Sequence, residues 1–152
     1  MSLDIYPLTA NDVPLMEALL TSFGEAFDEI KTYTENPPSE DYLRQLLGSD
    51  TFIAIAAIKN GEVVGGLTAY ELKKYEQARS EIYLYDLAVV TAHRRKGIAI
   101  ALIEKLKELA TQRGAYVIFV QADTGIEDEP AIALYTKLGK REEVLHFDIA
   151  PE

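Results

Sequence analysis

The chain has 152 residues, 48% of them hydrophobic, and a formal net charge of −10, which is enough for one domain with a core and too little for two comfortable ones. So acidic a balance argues against a nucleic-acid backbone as partner and suits a cationic one. With no cysteine there is no disulfide, thiolate metal site or cysteine nucleophile, and the two histidines, His93 and His146, stand too far apart to suggest a zinc cluster, so no metal is expected.

No apolar run approaches the roughly 20 residues needed to span a bilayer, and the opening "MSLDIYPLTANDVPL" is acidic and strand-like rather than a basic-then-apolar leader. A cytoplasmic protein without membrane contact is the expectation. "LDIYPL" alternates like a short strand, and "TANDVPLMEALLTSFGEAF" sets Leu15, Leu19 and Phe23 at helical spacing, with Thr9 or Asn11 as cap. "NPPSEDYLRQLL" restarts helically with Ser39 as N-cap and Leu43, Leu46 and Leu47 on one face. "TFIAIAAIKNGEVVGGLTAYEL" reads as a hairpin, because Asn60-Gly61 suits the positive backbone angles of a two-residue turn. "SEIYLYDLAVV" is a third strand of this run. From Gly97 to about Arg113 the period is helical, with Ile98, Leu102, Leu106 and Leu109 on one face, Glu104, Lys105, Lys107 and Glu108 outside it, and Gly114 as the stop. "AYVIFVQAD" is a buried strand, "EPAIALYTKLG" a short helix between Pro130 and Gly139, and "EEVLHFDI" a last strand. The order β, α, α, β, β, β, α, β, α, β predicts an α/β fold in a single domain, 1–152, with one mixed sheet and helices on its faces.

The joint "VVTAHRRKGIAIALIEKLKELA" puts three cations and a glycine where an apolar strand gives way to an apolar helix. A helix N-terminus exposes about four unpaired N–H groups and carries about half a positive charge, so this joint predicts a phosphate seat, with Gly97 allowing close approach. The alternative is a solvated basic turn. Neither the Rossmann glycine pattern nor the P-loop lysine-serine pair is present. Arg94-x-x-Gly97-x-Ala99, following "LAV", resembles the acyl-CoA pyrophosphate motif of the GNAT superfamily of N-acetyltransferases. "PAIALYTKLG" resembles that superfamily's second signature, a helix carrying a tyrosine near the cofactor thiol. Over nearly the whole chain, and most closely in "TFIAIAA", "SEIYLYDLAV", "GAYVIFVQAD" and "ALYTKLGKREEVLHFDI", the sequence resembles the aminoglycoside 3-N-acetyltransferases of the gentamicin and fortimicin resistance type.

That resemblance implies a mostly antiparallel mixed sheet, splayed between two strands, and transfer of an acetyl group from acetyl-CoA to the 3-amino group of a deoxystreptamine ring; the alternatives are acetylation of another polyamine or a peptide amine, and a catalytically inactive acyl-CoA-binding sensor. It implies a cofactor site made of Arg94, Arg95, Lys96, Gly97, Ile98 and Ala99, with a bulge in "YDLAVV" that leaves backbone N–H groups near Leu87 and Val89 for pantetheine and the thioester oxygen. It gives Tyr135 the role of proton donor to the departing thiolate, and it implies a homodimer. The sequence departs from the superfamily at Asp128, where an asparagine is common seven residues before the helix tyrosine. Independently of the resemblance, Asp86 interrupts the apolar run "IYLYDLAVV", and a carboxylate there is costly unless a cation or hydrogen bond meets it. A protonated substrate amine qualifies, with Asp86 as its holder and base; an ordinary pairing with a neighbouring side chain or backbone N–H is the alternative. Glu81, Asp123, Glu142, Glu143 and Asp148 can add negative field, and Asp123 and Asp148 are the expected substrate contacts among them. His146 is expected to bond locally, and His93 lies beside the cationic loop.

Overall fold

Alternation of apolar residues in the strand-like runs is satisfied by pairing them into one sheet. The computed structural model describes residues 2–152. The chain divides into two units, Met1–Val120 and Gln121–Glu152. In the first unit the strands β1 (Leu3–Pro7), β2 (Phe52–Lys59), β3 (Glu62–Lys73), β4 (Ser80–Val89) and β5 (Ala115–Val120) lie in the order β1-β2-β3-β4-β5. Neighbours are antiparallel except β4 and β5, which are parallel. The helices are α1 (Val13–Ala26), α2 (Ile30–Thr34), α3 (Glu40–Leu47) and α4 (Ile98–Arg113). This is the expected mixed, mostly antiparallel sheet with helices on both faces.

One face of the sheet carries α1 and α3: Val13, Met16, Leu19 and Phe23 pack with Leu43, Leu47, Phe52, Ala54, Ala56 and Ala88. By the two-residue period of a strand, Ile53, Ile55 and Ala57 belong to the other face. That face meets α4, whose Ile98, Leu102, Ile103, Leu106 and Ala110 are buried. Burying each large apolar side chain contributes about 1.5–3 kcal/mol, so the two half-cores hold the sheet from both sides. Gly66 sets the distance of α1, since a Cβ there would meet Leu19 Cδ1 and the Ile55 carbonyl at 2.5 Å.

Local signals account for the boundaries. Asn60 (φ 53) and Gly61 (φ 78) make the β2–β3 turn. Ser39 Oγ accepts from the Tyr42 amide at 3.1 Å and caps α3. Gly114 closes α4 in the left-handed region. The α1 cap differs from expectation: it is Asp12, not Thr9 or Asn11. Asp12 Oδ2 accepts from the Thr9 amide, the Thr9 hydroxyl and the Tyr6 phenol, while Thr9 Oγ1 accepts from the Asn11 amide, so these side chains tie the turn rather than the helix.

The second unit holds α5 (Glu129–Leu138), with Pro130 in its first turn, and none of its residues is buried. The strand expected at "EEVLHFDI" does not form: residues 140–152 carry no regular element. A strand exists only through its partner ladder, and this unit contains no second strand to supply one. β5 likewise stops at Val120, short of the Asp123 that its sequence suggested.

Candidate active site

β4 carries Asp86, and its phase slips beside that residue. Asp86 pairs with Thr68 and Leu84 with Ala69, so Tyr85 has no opposite residue and forms a bulge. Thr68 pairs with Ala54 of the α1-side core, and Tyr83 pairs with Tyr70, itself opposite Phe52 of that core. Tyr83, Asp86 and Ala88 therefore share the α1 face, with Tyr85 between them. In an unbroken strand Asp86 would have continued the line of Ile82 and Leu84 into the α4 core. The bulge turns the carboxylate away from it.

The partly buried Asp86 Oδ2 accepts a hydrogen bond from the Tyr33 phenol of α2 at 3.3 Å. Burial pushes the Asp86 carboxyl up from the ordinary range, the Tyr33 hydrogen bond draws it back, and the charge of Glu29 adds a further upward push. Tyr33 is itself raised, by burial first and then by the Asp86 charge, so it stays a donor. Among the described residues no Lys, Arg or His pairs with Asp86. A desolvated carboxylate without a cation is an energetic cost that an incoming ammonium removes.

Beyond the bulge, among the described residues of the first unit, β4 pairs with β3 alone. Pairing with β5 ends at Leu84–Val120, while β4 runs on to Val89. The Val90 amide donates to the Val64 carbonyl at 2.9 Å. Two-residue alternation of an antiparallel ladder then bonds Ala88 and Asp86 to β3 and turns the amides of Leu87 and Val89 toward the edge where β5 no longer pairs.

The loop that follows fits a diphosphate. Gly97, the α4 N-cap, lies at φ 79 with no side-chain cap, and a Cβ there would meet nothing within 4 Å. Arg95 is also left-handed at φ 62, and such alternation of backbone hand gathers N–H groups into an anion-binding concavity. The first-turn amides, Ile98 and Ala99 among them, open on the same end of α4, where Arg95 and Lys96 are exposed. Arg94 also braces the loop from below. Its Nε donates to the Val89 carbonyl at 2.9 Å and its Nη2 to the Ala26 carbonyl at 3.2 Å, tying β4 to α1. His93 Nδ1, buried beside this loop, has no hydrogen-bond partner among the described residues.

The remaining sequence-predicted residues lie in the second unit. Tyr135 is on α5. Asp123 donates its amide to Asp128 Oδ2 at 2.9 Å, so Asp128 is engaged locally. Asp148 Oδ1 is 2.9 Å from His146 Nε2, the local bond expected of that histidine. Sequence reasoning missed Tyr33, Tyr70 and Tyr85. The alternation Tyr83-x-Tyr85 was a visible sign of one aromatic face. Tyr33, 53 positions from Asp86, left no local trace.

A solved aminoglycoside acetyltransferase from an uncultured soil metagenomic sample is 70% identical, with a TM-score of 0.98 and coverage of 100% of both chains. A second aminoglycoside acetyltransferase from such a sample, in complex with sisomicin, is 32% identical with a TM-score of 0.89, covering 99% of this chain and 97% of that one. N-acetyltransferase 8 of Rattus norvegicus is 32% identical over 84 residues, and the match spans 55% of this chain but only 36% of that protein's length. Residues 16–140 match the acetyltransferase (GNAT) family, and the chain belongs to it.

Proposed function

We propose that the protein transfers an acetyl group from acetyl-CoA directly to an amino group of a polycationic aminoglycoside, at the 3-amino position of its deoxystreptamine ring. The carrying observation is Asp86: a partly buried carboxylate that the bulge sets on the α1 face, held by Tyr33 and given no cation by the described residues. Two solved relatives are described as aminoglycoside acetyltransferases, one of them with sisomicin, which supports the acceptor class. The family match crosses both units, which supports reading 1–152 as one acetyltransferase domain.

In this reading Arg94, Arg95, Lys96 and the amides of Gly97, Ile98 and Ala99 hold the diphosphate, and the amides of Leu87 and Val89 hold pantetheine and polarise the thioester oxygen. Acetyl-CoA supplies the activated carbonyl. Asp86 holds the substrate ammonium and takes its proton, directly or through water. The amine nitrogen then attacks the carbonyl carbon, a C–N bond replaces the C–S bond, Tyr135 gives its phenol proton to the thiolate, and the second proton that the nitrogen sheds as the amide forms returns to Tyr135 through water. A phenol of pKa about 10 is an adequate donor to a thiolate whose conjugate acid lies near about 8.5. No side chain carries the acetyl group, and no metal takes part. Asp123 and Asp148 add negative field for the other ammonium groups.

The protein is proposed to work in the cytoplasm and to confer drug resistance there, without nucleic-acid or membrane partners. It is proposed to act as a homodimer, because Val144, Leu145, Phe147 and Ile149 are 70–89% exposed in a unit without a core, an apolar row that a second copy suits.

Thiol release from acetyl-CoA with gentamicin, followed by nuclear magnetic resonance of the product, tests the function. An amide on the 3-amino group is expected. Release only with spermidine or peptide amines would sink the acceptor assignment, and tight cofactor binding without release to any amine would sink catalysis.

A further inference from the structure

Around Asp86 the first unit gathers an unusual number of rings. Tyr85, the bulged residue, is 55% exposed, just past the point where β5 stops pairing with β4. Its ring stands perpendicular to Tyr70, centroids 5.5 Å apart at 89°, and nearly perpendicular to Tyr83, 5.6 Å apart at 77°. The Tyr85 ring thus meets two others, each at a steep angle to its own plane. Tyr83 in turn stacks on Phe119 at 4.8 Å and Tyr70 leans on Phe52 at 5.3 Å, which fixes both rings. On the other side of Asp86, Tyr33 is wedged against Phe23 and Phe27 at 6.1 and 5.8 Å. The charge of Asp86 reaches Tyr33, Tyr70 and Tyr83 alike, and that of Glu29 reaches both Tyr33 and Asp86.

A half-exposed tyrosine on a sheet face loses apolar contact with nothing evident in return. What the Tyr70 and Tyr85 rings offer instead is electron-rich surface beside one carboxylate, Asp86, that no Lys, Arg or His of the described residues pairs with, and within the field of a second. That combination recognises alkylammonium groups: the carboxylate takes one, and a ring face attracts another through its quadrupole.

We infer that Tyr85, with Tyr70 and Tyr83 as its supporting rings, is a specificity-determining subsite for a second ammonium group of the acceptor, next to the amine held by Asp86. The subsite rests on the acetyl-transfer reading for its place in catalysis. Its ligand chemistry is an aliphatic amine with two or more positive charges on a compact ring framework. Two charges on one ring match two adjacent receivers, Asp86 and Tyr85, consecutive in the chain yet on one face because of the bulge. A monoamine fills Asp86 alone.

Titration calorimetry of the full chain with gentamicin and with cyclohexylamine tests this, because binding is read without turnover. Tyr85→Leu keeps apolar bulk and removes the ring; Tyr85→Phe keeps the ring and removes the hydroxyl. Gentamicin is expected to bind Tyr85→Leu about tenfold more weakly than the parent and Tyr85→Phe within about twofold, with cyclohexylamine indifferent to either change. Steady-state kinetics should show the same split as a higher acceptor KM with kcat and the acetyl-CoA KM retained. Parental gentamicin affinity in Tyr85→Leu overturns the subsite, and so does an equal loss in Tyr85→Phe, which would make the hydroxyl the contact. A parent that binds gentamicin no better than cyclohexylamine overturns it as well. Thiol release by the parent is measured separately, so binding without transfer removes the proposed function and leaves the subsite standing.

Discussion

Tyr33 and Asp86, 53 positions apart, meet through a single hydrogen bond of 3.3 Å between α2 and β4. Among the described residues it is the one bond that favours the charged form of a carboxylate whose burial disfavours it. Tyr33→Phe removes the donor, so the Asp86 pKa should rise further. A base works only when ionised, and the acidic limb of kcat/KM against pH should therefore move to higher pH, with the plateau less affected. Profiles of parent and variant on gentamicin check it; superimposable limbs would show that the phenol does not govern the base.

The same cost has a sign in stability. A carboxyl whose folded pKa is raised destabilises the fold when ionised, so its penalty is present at neutral pH and disappears as pH falls into the ordinary carboxylate range near about 3.9. Asp86→Asn keeps an acceptor for Tyr33 and loses the charge. Its melting temperature should exceed the parent's by about 2–4 °C at pH 7, converging with it toward pH 4, while turnover on a 3-amino acceptor collapses and acetyl-CoA binding is kept. A variant that melts lower at pH 7 and still turns over would make Asp86 a structural residue.

What the sequence disclosed depended on the range of the interaction. The Asn60-Gly61 turn, the Ser39 cap and the Gly114 stop are decided within a few residues, and all three appear as read. The joint proposed as a phosphate seat was legible for the same reason, as strand, cations, glycine and helix follow one another. Asp86 was conspicuous as a charge in an apolar run, but its orientation depends on the register with β3, where the extra residue is visible only once Thr68 and Ala69 are known to be its neighbours. The aromatic cluster draws on β3 and β4, and Tyr33 on α2, a short helix that the sequence did not announce. The misplaced strand at "EEVLHFDI" failed for the converse reason: its alternation is real, but a ladder partner is a tertiary fact.

Arg113 tests the buried polar chemistry of the sheet. Its Nη1 meets Glu71 Oε1 at 2.7 Å and donates to the Asp50 carbonyl at 2.6 Å, while the Glu71 side chain is 7% exposed. Arg113→Met leaves a buried carboxylate without its cation and should cost about 3 kcal/mol in chemical denaturation. The double variant Arg113→Met with Glu71→Leu should recover most of that. No loss in the single variant would mean that water replaces the guanidinium.

For the leaving group, Tyr135→Phe should lower kcat by about 10²- to 10⁴-fold with cofactor affinity nearly unchanged, since only a transition-state contact is removed. Single-turnover measurements isolate the chemical step. Unaltered rates there would remove Tyr135 from the proton transfer.

The phosphate seat is best probed through residues whose stability and binding effects have opposite signs. Arg94→Ala is a blunt test, because the guanidinium also ties the Val89 and Ala26 carbonyls and its loss should lower both melting temperature and affinity. Arg95 is different. It holds a left-handed φ of 62 that an L side chain adopts at a cost of about 1–2 kcal/mol, so Arg95→Gly should raise stability while withdrawing a cation from the diphosphate. The expected result is a CoA affinity lower by about 10-fold to 100-fold, the worth of a charge-assisted contact, steeper at low salt, in a protein that melts higher than the parent. General damage cannot produce that pair of changes. Gly97→Val should also weaken CoA binding, through the strained φ of 79 and through bulk on a surface where a Cβ meets no protein atom within 4 Å. Calorimetry with CoA and thermal melts on the same samples decide it: if both variants bind CoA as the parent does, the diphosphate lies elsewhere and the loop is a solvated turn.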